Sequence, residues 1–359
     1  MFQSYHPVQF NAQMLDKLLS QGWFRGGNVM YQSKMLCLDE AVYSVVNIRS
    51  NLSVYSFPKR MRKLLNKNKK QFSYHIQPLE QITSEMEKLY QEQSQKFKGF
   101  VHSNLENYLF EGMQHNFFNT YELTVFEGNR LVAVSFFDMG DRSFASLLGL
   151  YDQAYKKYSL GIFTMLLEIE YALELDYEYY YPGYVFRGSN IFDYKLKIGQ
   201  IEYYDWNGDW YPLKHIEQSE FPAQKLKAAF TNIEAQLTIC GISYQKFLYP
   251  YFSLGYASHL DVDFLNSLQF LQISDIYDYD KMLILSYNSK TDQFSLLEVR
   301  DHSSFGFLTN AGFSNDIKRS DAYFHKLLGV EQVIHETLDV EEMVTFIQRF
   351  FELFFRKKV

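Results

Sequence analysis

Apolar residues recur along this chain at helical and strand spacings, and the two periods alternate. Met14, Leu15, Leu18 and Leu19 share one face of a helix that Asn11 caps and Gly22 stops. VMYQSKMLCL (29–38) and AVYSVVNI (41–48) read as strands around an Asp39-Glu40 turn. In PKRMRKLLNKNKK (58–70), Pro58 suits a first helical turn and Met61, Leu64 and Leu65 fall on one side. A strand follows and closes a first αββ region, 1–78, with its basic segment.

Residues 79–215 read as helix, helix, three strands, helix, strand. Ser84 and Glu87 have capping-box spacing before a polar helix that runs to about Phe97. TYELTVF (120–126) and RLVAVSFFD (130–138) flank a Glu-Gly-Asn turn as a hairpin, and SFASLLGLY (143–151) is a third strand. Helix 159–175 is apolar at Ile162, Met165, Leu166, Ile169, Ala172 and Leu173. YEYYYPGY (177–184) is another strand, with Pro182 placing its end. Residues 216–359 form a further α+β region: a helix at 223–239, a hairpin at 282–287 and 294–299, and an amphipathic helix at 340–358. In that last helix Val344, Ile347, Phe351, Phe354 and Phe355 make a core-facing stripe, and Arg356, Lys357 and Lys358 suit its C-terminal end.

The order helix, hairpin, strand, Gly-containing loop, helix, strand is the layout of GNAT-type N-acyltransferases. The expected fold class is therefore α/β (α+β), a GNAT-like N-acyltransferase core whose mixed central sheet is flanked by helices, with the additional C-terminal region. In such folds two neighbouring parallel strands splay apart and admit an acyl donor. Lys156 to Gly161 opens the 159–175 helix, whose free N–H groups suit a phosphate or carboxylate. The acyl-CoA frame over this loop gives Tyr158, Gly161 and Phe163, and only Gly161 fits it.

Composition excludes several classes. With 33 Phe and 29 Tyr among 359 residues, the chain has ample apolar surface for a core. Cys37 and Cys240 stand alone, so neither a disulfide framework nor a zinc spacing is present. Neither a signal peptide nor an apolar run long enough for a membrane span is visible, which predicts a cytoplasmic protein. The net charge of −7 hides a window, Ala41 to Pro78, without acids and with eight Lys or Arg. Its +8 leaves −15 for the rest and makes that window a candidate polyanion surface.

The central stretch resembles the C-terminal half of aminoacyl-tRNA–protein transferases, which include arginyltransferases and leucyltransferases. The matching features are Tyr151-Asp152, Ser159-Leu160-Gly161, Tyr180-Tyr181-Pro182-Gly183-Tyr184, Tyr194-Lys195 and Trp210. Upstream, Gly22-Trp23-Phe24-Arg25 resembles the family's early Gly-Trp-x-Arg, and PKRMRKLLNKN (58–68) its basic segment ending in Asn. Together these cover roughly residues 14–215. The chain departs from the family in having only Cys37 near an N-terminal cysteine cluster, Pro182 before Gly183-Tyr184, and Ile191-Phe192 for Lys-Met.

The resemblance implies transfer of an amino acid from a charged tRNA to the N-terminal α-amino group of an acceptor protein or peptide. The tRNA 3′ end would take the place of acyl-CoA. It implies catalytic roles for Asp152, Tyr184 and Tyr194. Substrate contacts fall to Trp23, Arg25, Tyr151, Ser159, Leu160, Gly161, Gly183, Arg187 and Lys195. Lys59, Arg60, Arg62, Lys63, Lys67 and Asn68 would meet tRNA. The ester is already activated, so neither a cofactor nor a metal is expected. The oxyanion would sit on a backbone N–H near Leu148–Leu150. The expected partners are aminoacyl-tRNA and an acceptor N-terminus, with no DNA and no membrane. Two alternatives stand beside this reading, a GNAT enzyme using acyl-CoA and a small amine, and a non-catalytic tRNA-binding relative.

Overall fold

The structure, a computed structural model, describes residues 2–6, 9–98, 101–111, 117–218, 221–252, 262–278, 281–304, 318 and 320–356. The chain begins with β1 (Phe2–Tyr5), α1 (Ala12–Ser20), β2 (Phe24–Gly26), β3 (Val29–Ser33), β4 (Met35–Leu38), β5 (Ala41–Asn51), α2 (Lys59–Lys69) and β6 (Ser73–Pro78). It continues through α3 (Ser84–Ser94), α4 (Leu105–Phe110), β7 (Thr120–Glu127), β8 (Arg130–Met139), β9 (Ser143–Tyr151), α5 (Leu160–Glu174), β10 (Tyr179–Arg187), β11 (Glu202–Tyr204) and β12 (Trp210–Pro212). The last region holds α6 (Pro222–Ile239), β13 (Gln245–Leu248), β14 (Gln269–Asp278), β15 (Lys281–Asn288), β16 (Gln293–Asp301), β17 (Leu328–Thr337) and α7 (Val340–Arg356).

The central sheet has the order β12-β11-β5-β10-β9-β8-β7-β6, with β4 pairing β5 as a hairpin. It is antiparallel except where β9 meets β10. Helices α2 and α5 cover one face, and α3 with α4 covers the other. Strand β8 is consequently buried from Leu131 to Met139. This is the mixed, helix-flanked sheet that the element order predicts. The 1–78 segment contributes β5 and β6 to it, so the sheet is not confined to residues after 78.

Several local expectations need correcting. The predicted 29–38 strand is two strands: β3 joins β1 and β2 in a small sheet, while β4 turns to pair β5. The Ser33 hydroxyl donates to the Met35 carbonyl at 2.6 Å across the break. Asp39 and Glu40 both take left-handed backbone, which matches a tight two-residue hairpin. Thr83, not Ser84, caps α3 by accepting from the Met86 N–H, and α3 ends at Ser94 rather than near Phe97. Pro182 does not end its strand, because β10 runs on to Arg187.

The C-terminal region is a five-stranded antiparallel sheet, β13-β14-β15-β16-β17, packed against α6 and α7. Its core includes Leu226, Phe230, Ile233 and Leu237 of α6 and Met343, Val344 and Ile347 of α7. The Val344, Ile347 and Phe351 positions of the stripe pack on that core; Phe354 and Phe355 lie outside the described side chains, as do Arg356 to Lys358. Among the described residues no helix is long and apolar enough to cross a membrane. The region docks on the central sheet through α6, where Ala223 N–H donates to the Ser44 hydroxyl of β5 at 2.9 Å.

Candidate active site

Strands β9 and β10 pair in parallel for three rungs only, Tyr179–Ser143, Tyr180–Phe144 and Tyr181–Ala145. Both strands then leave the ladder for local reasons. On β10, Pro182 has no N–H to donate, Gly183 takes φ +95°, and the register against β5 shifts between Tyr180 and Gly183. On β9, a bulge places Leu147 as the extra residue between Ser146, opposite Phe137, and Leu148, opposite Phe136. Beyond these points β10 follows β5 and β9 follows β8, so a wedge opens between them.

A cavity of about 1460 Å³ occupies this wedge and reaches from β2 and β3 across to α5. The Tyr151 N–H on its wall donates to Gln93 Oε1 of α3 at 2.9 Å, facing away from β8. Alternation along an antiparallel strand then turns the N–H of the exposed Gly149 to the same, open side. Gly149 falls within the Leu148–Leu150 stretch expected to hold an oxyanion.

Aromatic rings form one wall. Tyr184 contacts Phe24, Phe186 and Phe192 with ring centroids 4.9, 5.5 and 5.6 Å apart. Burial raises the Tyr184 hydroxyl above its ordinary value, so it stays protonated. The Lys195 ammonium lies 4.9 Å from the Phe192 ring centre and 5.5 Å from that of Tyr184, and donates to the Tyr184 carbonyl at 3.4 Å. Burial lowers the Lys195 amine to about 8. Also lining the cavity is Glu168 of α5, with no exposed surface, accepting the Tyr180 hydroxyl at 2.7 Å. Burial pushes its carboxyl up to about 7.

The cavity gathers Trp23, Arg25, Tyr151, Ser159, Gly161, Gly183, Tyr184, Tyr194 and Lys195. Three predicted residues stand elsewhere. Leu160 is buried in the core. Arg187 lines a separate hollow beside Asp193 and Lys214, its guanidinium 5.4 Å from the Phe221 ring. Asp152 caps a 3₁₀ turn, Gln153–Tyr158, by accepting from the Ala154 N–H at 2.8 Å, and also pairs with Arg130. Although Arg25 lines the cavity, its guanidinium is engaged internally. It pairs with the buried Asp138 at 2.6 Å and donates to the Thr120 hydroxyl and to the Gly27 and Leu109 carbonyls, each at 2.7 Å.

The basic helix α2 stands beside α5. Lys59, Arg60, Arg62, Lys63 and Lys67 are exposed, whereas Asn68 is buried and donates to the Tyr158 carbonyl at 2.8 Å. That bond holds α2 against the 3₁₀ turn, whose exposed Lys156 and Lys157 extend the positive surface to the cavity rim. Arg49 and Lys69 are instead engaged by Glu202 and Glu170.

Residues 71–205 match the family described as arginine-tRNA-protein transferase, C terminus. Aspartate/glutamate leucyltransferase of Leptospira interrogans is 29% identical over 195 residues, 53% of this chain and 73% of that protein. The enzyme of the same name from Helicobacter hepaticus is 24% identical over 204 residues, 56% of this chain and 83% of its own. These matches liken the central part of this chain to the aminoacyl-tRNA–protein transferase family. The matched span holds the wedge, α5 and Lys195, while Trp23, Arg25 and α2 precede it. Among solved structures, L-PGS from Bacillus licheniformis is 12% identical with a TM-score of 0.33, covering 47% of this chain and 60% of that one.

Among the described residues, no group of three or more His, Cys, Asp or Glu side chains is placed to hold a metal ion. Cys37 lies 3.5 Å from the Tyr323 hydroxyl, and burial raises its thiol to about 11. Glu168, Ser146 and Gln93 of the cavity were missed from sequence. A signal for Glu168 existed, since it lies three residues after Met165 and four before Ala172, an acid on an apolar helix face. Ser146 and Gln93 had none, because both face the cavity only through the bulge and the placement of α3.

Proposed function

We propose that this protein transfers an amino acid from a charged tRNA to the N-terminal α-amino group of an acceptor protein or peptide. The observation that supports this most directly is the wedge between β9 and β10, which opens into a cavity lined by Tyr151, Ser159, Gly161, Gly183, Tyr184, Tyr194 and Lys195. The exposed basic side chains of α2, continued by Lys156 and Lys157, hold the acceptor-arm phosphates. The tRNA 3′ end enters past Ser159, and the aminoacyl ester lies beside Gly149.

In this reading the neutral amine attacks the ester carbonyl, and the Gly149 N–H stabilises the oxyanion that forms. The wall of Phe24, Tyr184, Phe186 and Phe192 suits an apolar donor side chain. Lys195 suits a carboxylate on the acceptor's first residue. The relatives are named for leucine and for aspartate or glutamate, which agrees with both assignments. Asp152 and Arg25 are left to hold the structure, since their polar atoms already have partners.

The test presents purified protein with radiolabelled aminoacyl-tRNA or acetyl-CoA and with peptides beginning Asp, Glu, Ala or Lys. Label transferred from tRNA to acidic N-termini is the expected result. Consumption of acetyl-CoA instead, or salt-sensitive tRNA binding without transfer, would replace this reading with a CoA-dependent acyltransferase or a binding protein.

A further inference from the structure

Glu168 has no solvent exposure, yet only one of its carboxyl oxygens has a hydrogen-bond partner. Oε2 accepts the Tyr180 hydroxyl at 2.7 Å, and Oε1 accepts none. The buried Ser135 hydroxyl lies beside it, close enough to lower the carboxyl. A buried carboxyl oxygen without a close partner calls for an explanation beyond packing. The hydroxyl of Ser146 flanks both Glu168 and Tyr180. Ser135, Ser146 and Glu168 all line the cavity, and Ser146 alone of this group is only half-buried. It stands on β9 one residue beyond the last rung with β10, at the start of the bulge that opens the wedge.

We propose that Ser146 and Glu168 form a proton relay on the cavity wall, serving the transfer reaction and therefore resting on the function proposed above. As the acceptor amine bonds to the ester carbon, its nitrogen gives one proton to Ser146 Oγ. Ser146 passes its own hydroxyl proton to the Glu168 carboxylate. When the tetrahedral intermediate collapses, the bond to the ribose oxygen breaks. The proton returns from Glu168 through Ser146 to that oxygen, which leaves as a hydroxyl. The amide and the free ribose form with no net change in the relay, and no further reactant is needed.

The surroundings suit the task. The groups facing Glu168 are Tyr180 from β10, Ser135 from β8, Ser146 from β9 and Tyr194 from the 193–198 turn. Among the described residues no cation acts on it, and burial outweighs the three nearby hydroxyls, raising the carboxyl to about 7. Tyr180 is held well above its ordinary value and remains a donor throughout. A carboxyl serving only to tie Tyr180 to α5 would have no need of an accessible serine at its open end.

The experiment measures transfer at saturating acceptor and charged tRNA by the full-length protein, together with its Glu168→Gln, Ser146→Ala and Ser146→Thr variants. Glutamine keeps an acceptor for Tyr180, so thermal stability and tRNA affinity report whether each variant is intact. The relay predicts that kcat falls about 100-fold or more in Glu168→Gln and Ser146→Ala, with partial recovery in Ser146→Thr. It also predicts that the acidic limb of the wild-type kcat–pH profile, near pH 7, is absent from Glu168→Gln. The acceptor's own amine is saturated in kcat and shows its limb in kcat/KM instead. Wild-type transfer with Glu168→Gln and Ser146→Ala within about twofold of it overturns the relay alone. Absence of transfer by the wild-type protein overturns the functional reading and the relay together.

Discussion

Gly183 and Lys195 approach each other so closely that a Cβ on Gly183 would lie 3.1 Å from the Lys195 ammonium nitrogen. Gly183 also has φ +95°, a backbone state that side chains rarely adopt. Substitution by Ala therefore strains the backbone by about 1–3 kcal/mol and displaces the ammonium. The expected outcome for Gly183→Ala is a melting temperature lower by a few degrees and a raised KM for acidic acceptors. Affinity for charged tRNA, measured by filter binding, should stay within about twofold.

Lys195 itself provides a pH test. Its amine is lowered from the ordinary lysine range to about 8 by burial. Between that value and about 10.4, the unfolded chain binds a proton that the folded protein has lost, so this group makes stability rise with pH through the window. Lys195→Met should remove that contribution and leave the protein at least as stable at pH 7. For the wild-type protein, affinity for a peptide beginning Asp should fall as pH passes 8, where the ammonium becomes neutral. Calorimetric melts and peptide titrations at pH 7 and 9 check both; no loss of peptide affinity would remove Lys195 from acceptor recognition.

The parts of this fold legible in sequence are those set by local chemistry. The α5 spacing and the Gly128 turn depend on neighbouring residues, and each appears where expected. The role of Pro182 was misread because its cost depends on what it must pair with. At the apex of a splayed pair the missing N–H is an advantage and the strand continues. The break at Lys34 was invisible for a related reason: β3 and β4 are one apolar run in sequence and belong to different sheets only through remote partners. For the site, motif residues led to the cavity, but polarity alone did not separate Arg25 or Asp152 from working groups. Their partners, Asp138 and Arg130, lie 113 and 22 residues away.

The Arg25–Asp138 pair is a stability determinant. Both side chains are essentially unexposed, and Arg25 joins β2 to β7, β8 and the end of α4 through one guanidinium. Removing either partner leaves an unpaired buried charge, a loss of about 3–5 kcal/mol. Arg25→Ala and Asp138→Ala should each lower the denaturation midpoint strongly, and the double variant should recover part of the loss. Arg25→Lys should recover little, since an ammonium does not reproduce the planar fork. Chemical denaturation curves measure all four.

Asp152→Asn should behave in the opposite way. Asparagine also caps, so the 3₁₀ turn survives, and the pair lost with the exposed Arg130 is worth about 0–1 kcal/mol. Transfer rate and melting temperature are expected to stay near wild-type. A fall in kcat beyond about tenfold with unchanged tRNA affinity would return Asp152 to the chemistry.

The basic surface predicts a graded salt effect rather than an all-or-none one. Lys63 and Lys67 are exposed on α2, next to the turn that carries Lys156 and Lys157. If each neutralises one phosphate, replacing it by Ala lowers the slope of log K against log salt by about 0.7–0.9. Lys63→Ala and Lys67→Ala should therefore weaken tRNA binding at low salt and converge on wild-type as salt rises. Asn68→Ala should act differently. It removes the bond to the Tyr158 carbonyl, loosening α2 against the cavity rim while leaving every charge in place. Its salt slope should match wild-type, with affinity reduced by a similar factor at all salt concentrations. Binding isotherms across a salt series distinguish the two patterns; an unchanged slope in Lys63→Ala and Lys67→Ala would place the tRNA elsewhere on the molecule.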